Sequence, residues 1–135
     1  MITDIFVNLA VKDLVATKAF FAKLGFACNA QFTDDNAACL VIGEHMFAML
    51  ITEPFFKTFT PRAIADTTKV TEVLTALSVE SKEKVDWYAE TALTAGGREH
   101  RDASDMGFMY VRAIEDLDGH VWEFFWMDPS HVQKA

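Results

Sequence analysis

The sequence repeats itself. Ala10-Val11-Lys12-Asp13 answers Ser78-Val79-Glu80-Ser81, 68 positions on, and Gly43-Glu44-His45-Met46-Phe47 answers Asp118-Gly119-His120-Val121-Trp122, 75 positions on. An internal repeat constrains architecture more than any other feature, because each copy is one supersecondary unit that cannot bury its apolar face alone. The 135 residues suffice for one domain of ordinary size, so the two copies are expected to share one core.

Hydrophobic periodicity gives the content of each copy. Ile5–Val11 is short and rich in β-formers, so it reads as a strand. Leu14, Thr17, Phe20, Phe21 and Leu24 follow at helical spacing, with Asp13 placed to cap the first turn and Gly25 to stop the last. Residues 26–32, 38–42 and 46–51 read as three more strands, with a polar turn at 33–36. The second copy opens with a strand at 73–79. Ser81 is its candidate cap, Val85, Tyr88, Ala89, Ala92 and Ala95 form a helical stripe, and Gly96-Gly97 end it. Strands at 108–114 and 120–127 flank the turn Asp116-Leu117-Asp118-Gly119. A strand near 98–102 is weakly signalled and is supplied by analogy with the first copy. The expected class is α+β: two βαβββ modules at 1–51 and 72–128, joined by a segment at 52–71 and followed by a tail at 129–135. Phe55, Phe56 and Phe59 in the joining segment are read either as packing on their own sheet or as a lid or dimer contact.

Composition excludes several functions. Hydrophobic residues are 51% of the chain, which rules out disorder. Twelve Lys and Arg against twenty Asp and Glu leave a net charge of −8. That balance argues against nucleic acid and anionic membranes, whose phosphates need clustered cations. No apolar run approaches the ~20 residues of a membrane span. Met1-Ile2-Thr3-Asp4 lacks the basic flank of a secretory signal, and two cysteines, Cys28 and Cys39, are too few for a disulfide scaffold. A cytoplasmic location with both thiols packed as small hydrophobes is expected.

The tandem repeat, with Val11-Lys12-Asp13-Leu14, Phe20-Phe21-Ala22-Lys23-Leu24-Gly25-Phe26 and Asp116-Leu117-Asp118-Gly119-His120-Val121-Trp122-Glu123, resembles the vicinal oxygen chelate superfamily. That superfamily includes glyoxalases, extradiol dioxygenases, fosfomycin-resistance enzymes and bleomycin-binding proteins. The resemblance covers nearly the whole chain. It implies two modules whose sheets curl into a cup-shaped, barrel-like sheet, commonly in a homodimer. It also implies a divalent metal held by one residue on the first and last strand of each module. Those positions fall on Phe6, Ala48, Leu74 and Glu123. Only Glu123 carries a donor, and catalytic metal sites take about three protein ligands. The family metal is therefore expected to be lost, leaving no cofactor. His45, His100, His120 and His131 do not rebuild the site: His120 and Glu123 are three apart on one strand and face opposite ways, His45 and His120 read as exposed turn residues, and His131 lies in the tail.

Glu123 is the one candidate catalytic residue. If the last hairpin is symmetric about Leu117-Asp118, Arg112 lies opposite it. The pair is read as a structural ion pair, or Glu123 as a general base or ligand anchor. The expected pocket comprises Phe6, Asn8, Ala48, Leu74, Ser78, Tyr110, Arg112, Glu123 and Phe125, apolar with few polar handles. The leading functional expectation is a glyoxalase/bleomycin-resistance-like protein that binds a small molecule without metal. The alternative is a metal-dependent glyoxalase-like lyase, isomerase or dioxygenase.

Overall fold

The computed structural model describes residues 1–131. The expected tail at 129–135 thus lies partly outside them. Within them Pro129–His131 forms a single 3-10 turn, and the His131 ring stacks on Phe108 with centroids 5.0 Å apart. The chain divides into two compact units, Met1–Asp66 and Thr67–Ala135.

The first unit runs β1 (Ile5–Val11), α1 (Leu14–Lys23), β2 (Ala27–Asn29), β3 (Ala37–Gly43) and β4 (Met46–Thr52), followed by the short helix α2 (Glu53–Phe56). Its sheet has the order β1-β4-β3-β2, with β1 parallel to β4 and the other pairs antiparallel. Asp13 caps α1 by accepting the Ala16 N–H at 3.0 Å. Gly25 closes the helix end at φ +89°, a conformation that costs a side-chain-bearing residue most. Phe20, Phe21 and Leu24 from α1 and its end are buried with Leu40 and Leu50 of the sheet. Each such side chain contributes roughly 1.5–3 kcal/mol when fully buried. The expected strand at 26–32 is shorter than the apolar run suggests. Asn29 accepts the Gln31 N–H at 3.0 Å, and its carbonyl accepts from the Thr33 hydroxyl at 2.7 Å. These local bonds turn 30–32 into a 3-10 turn in place of a ladder. In the joining segment, Phe55 and Phe59 meet edge to face at 4.9 Å and α2 packs against β1 and β4.

The second unit repeats the order with β5 (Leu74–Ser78), α3 (Lys82–Thr94), β6 (Arg98–Asp105), β7 (Met109–Glu115) and β8 (Val121–Met127). Its sheet is β5-β8-β7-β6, with β5 parallel to β8. Ser81 caps α3 through the Lys84 N–H at 3.1 Å, 68 positions after Asp13, as the repeat requires. Val85, Ala89 and Ala92 are buried on the inner side of α3. Tyr88 stacks on Phe124 at 5.1 Å. The weakly signalled strand is real and longer than expected, because two register shifts let its polar sequence follow β7. The strands form two four-stranded sheets, one per module, as the α+β expectation of two βαβββ modules requires.

The β7–β8 hairpin sets the register of everything around Glu123. Asp116 is buried, and its carboxylate accepts the N–H groups of Asp118 and His120 at 2.9 and 3.1 Å and the Trp122 indole N–H at 2.9 Å. Burial raises the Asp116 carboxyl above its ordinary value, against the pull of His120 and Trp122. Asp116 and His120 then close the ladder, leaving Leu117-Asp118-Gly119 as the tip, with Gly119 at φ +86°. The centre of the turn is Asp118, half a residue beyond the expected centre.

Gly97 opens β6 where a Cβ would lie 2.7 Å from the Glu115 carbonyl oxygen and 2.9 Å from that of Ala92. Both obstacles are backbone, so neither can swing aside. Gly97→Ala is expected to lower stability in urea by about 1–3 kcal/mol, the usual cost of overpacking.

Candidate functional site

Side chains on a strand alternate between faces, so register decides which residues can meet. One face of the second sheet is covered by α3. Tyr110 donates to Asp86 Oδ1 at 2.6 Å, and Tyr88 stacks on Phe124, which places Tyr110, Arg112, Trp122 and Phe124 on that side. The opposite face, here the far face, is built in rows. Pairing aligns Arg98, Glu115, Val121 and Leu74 in one row, Arg101, Ala113, Glu123 and Ala76 in the next, and Ser104, Val111, Phe125 and Ser78 in the third. Of the expected pocket, Leu74, Ser78, Glu123 and Phe125 are brought together on this face.

Arg112 and Tyr110 are not. Arg112 pairs with Phe124, and Ala113 lies opposite Glu123. The half-residue shift of the hairpin centre becomes a one-residue slip in pairing, which moves Arg112 to the other face. There the guanidinium is buried and bonded to Glu90 at 2.8 Å, Glu99 at 3.2 Å and Asp86 at 3.3 Å. Burial works against its charge, but these carboxylates outweigh it and raise the Arg112 pKa. Arg112 fastens α3 and β6 to the sheet. Tyr110 is pushed up to about 12, first by its bond to Asp86 and then by burial.

Glu123 instead meets Arg101, whose Nη1 donates to Oε2 at 2.5 Å. The intervening residue of the row is Ala113, fully buried, whose methyl leaves room for the arginine to cross one strand. The Glu123 side chain keeps 15% of its exposure and that of Arg101 keeps 44%. One row away, His100 Nδ1 bonds Glu115 Oε2 at 2.9 Å, both half-buried. His100, Arg101 and Glu115 are functional candidates that sequence reasoning missed, since the register shifts on both sides of Arg101 cannot be read from residue types. Bulges of this kind re-aim side chains and recur beside active sites. His120 is half-buried beside Asp116, which corrects its reading as an exposed turn residue. His45 is exposed and bonds Asp4 at 2.9 Å.

In the first unit, Phe6 stacks on Phe47 at 4.6 Å, and Asn8 shares that face opposite Met49. Ala48 points the other way and is buried with Leu50. Comparing pairings, Asn8 answers Ala76 and Met49 answers Glu123. Ala48 therefore is not the counterpart of Glu123; Met49 is. Cys28 lies opposite Leu40, and Cys39 occupies the alternate face. This keeps both thiols free, and burial raises both above the ordinary thiol value, so neither is an activated nucleophile.

The relatives can now be considered. No protein-family model matches the sequence, and no curated protein matches it. Solved structures do. A glyoxalase/bleomycin resistance protein/dioxygenase family enzyme from Burkholderia phytofirmans PsJN aligns over 90% of this chain and 96% of its own, with TM-score 0.74 and 18% identity. The chain has the glyoxalase/bleomycin resistance/dioxygenase fold. A fosfomycin resistance protein, FosX, from Listeria monocytogenes shares this fold at TM-score 0.68 and 18% identity, over 96% of this chain and 98% of its own. A hypothetical protein from S. aureus is similar at TM-score 0.80 and 28% identity, over 93% of this chain and 94% of its own.

Of the positions where the resemblance implies metal ligands, Phe6, Ala48 and Leu74 carry no metal donor, and Glu123 bonds the Arg101 guanidinium. Among the described residues no three His, Cys, Asp or Glu side chains gather to hold a metal.

The Tyr110 assignment is directly testable. In an absorbance titration one of the two tyrosines should ionise near 12, and Tyr110→Phe should remove that step. The unfolded phenol ionises near 10 while the folded one stays protonated, so stability should fall as pH rises between these values. Asp86→Asn should bring the step back toward 10.

Proposed function

We propose that this chain binds a small molecule on the far face of its second sheet, without the divalent ion expected of its superfamily, and that the Arg101–Glu123 pair is the polar anchor. The supporting observation is that Glu123 is held by an arginine that reaches across β7 from the edge strand β6. Leu74, Ala76 and Ser78 are exposed along β5, and Phe125 is half-buried beside them, giving an apolar floor next to the charged pair. Apolar lining with a few placed polar groups is the usual make-up of a small-molecule site.

The proposal extends to a homodimer. Ile5 and Met46, paired across β1 and β4, are both exposed, an apolar spot that a second copy would cover. A cytoplasmic setting fits the two free thiols. Among the described residues no helix is long and apolar enough to cross a membrane.

Elemental analysis of protein purified without chelator is expected to find far less than one divalent ion per chain. Thermal melts should be unmoved by Zn²⁺, Ni²⁺, Mn²⁺ or Fe²⁺, since only a site-bound ligand stabilises the native state. A stoichiometric ion, or a melt raised several degrees by one of them, would restore the metal-dependent reading. Light scattering at micromolar concentration should give the mass of two chains.

A further inference from the structure

We infer that the ligand of this face carries an oxyanion, a carboxylate or phosphate, joined to an apolar body, with the outer edge of the Arg101 guanidinium and the His100 imidazole receiving the oxyanion. This rests on the binding reading above and adds the chemical class of the ligand. The accessible side of the ion pair points to an anion at this spot although the whole chain carries −8. Arg98, His100 and Arg101 all serve the far face from β6, the edge strand. The carboxylates they meet, Glu115 and Glu123, are each already bonded to one of them. Of the Arg101–Glu123 pair it is the arginine that stays accessible, at 44% against 15%. A ligand approaching the face therefore meets the cation first.

Donor geometry agrees. A guanidinium has five N–H groups in a planar fork. Arg101 directs Nη1 at Glu123, and its remaining N–H groups can pair with a second oxyanion in the two-point manner that arginine favours. Glu123 thus orients the arginine, and burial on the carboxylate side holds it in place. His100 commits Nδ1 to Glu115, which leaves Nε2 as its second hydrogen-bonding atom. Glu115 and Glu123 are diagonal neighbours across the β7–β8 ladder, since Glu115 pairs with Val121 and Glu123 is two residues on. Diagonal positions lie roughly 7–8 Å apart, so the side chains they hold belong to one small site. The register shift between Glu99 and Arg101 is what brings His100 to the same face as its neighbour. From the charged row the exposed Leu74 and Ala76 extend as the surface for the apolar body.

The test is a titration of the labelled full chain with benzoate, benzamide and inorganic phosphate, followed by backbone and arginine side-chain NMR. Benzoate and benzamide share shape and differ in charge. Benzoate is expected to shift Arg101 and the β5 and β8 amides, and to bind about tenfold more tightly than benzamide, as loss of one charge-assisted hydrogen-bonding partner implies. Phosphate should shift Arg101 and His100 and leave β5 unmoved. Arg101→Gln should erase the difference between benzoate and benzamide. The double variant Arg101→Gln/Glu123→Gln, which leaves no unpaired carboxylate, should erase it too. Equal binding of benzoate and benzamide on β5 and β8 would overturn the oxyanion and leave the binding reading standing. No shift on β5, β6 or β8 with any probe would overturn both. Unchanged benzoate preference in the two variants would also overturn the inference.

Discussion

Each long helix of this protein covers one face of its own four-stranded sheet, and that single arrangement divides every strand into residues that serve the core and residues that serve the other side. Alternation with a period of two holds the division wherever the ladder is regular, and only a register shift such as that in β6 breaks it. In the second unit the covered face takes Tyr110, Arg112, Ile114, Trp122 and Phe124, and the far face takes Val111, Ala113, Glu115, Val121, Glu123 and Phe125. Two arginines separate in the same way. Arg112 is buried among three carboxylates of α3 and β6 and acts as a fastener. Arg101 lies across Ala113 and brings its charge to Glu123. Neither can substitute for the other, whatever their similarity as residues.

Much of the fold was legible in the sequence because it is written in local chemistry. Asp13 and Ser81 cap helices by short side-chain bonds, and Gly25 and Gly96 end them at positive φ. β1 and β4 are encoded by plain runs of β-formers, and the repeat supplied the position of β6. The site was less legible because it depends on register. The carboxylate of Asp116 gathers the Asp118 and His120 N–H groups and makes the tip three residues long, so the pairing slips by one from a symmetric turn. That slip exchanges Arg112 for Ala113 opposite Glu123. In β6, shifts between Glu99 and Arg101 and between Arg101 and Ser104 hide the true partner of Glu123 in a strand whose sequence is almost wholly polar. In the first unit the shift between Val41 and Gly43 has a similar effect, so the hairpin landmarks align Ala48 and the strand pairing aligns Met49.

The fold alone does not carry an activity, since one scaffold hosts many chemistries and function resides in the grafted site. The site proposed here is built on an ion pair. A carboxylate with little water around it needs a positive partner, and in this chain the partner is a side chain of the same sheet. The pair presents a half-exposed guanidinium beside apolar strand residues. The proposed recognition by charge and hydrogen bonding rests on that pair.

The most direct measurement is a pair of double-mutant cycles on folding stability, one joining Arg101→Gln with Glu123→Gln and the other joining Arg112→Gln with Glu123→Gln. The account predicts a coupling of about 1 kcal/mol in the first, as for a well-ordered ion pair at the edge of solvent, and additivity within about 0.3–0.5 kcal/mol in the second. Coupling of Glu123 to Arg112 with none to Arg101 would contradict it.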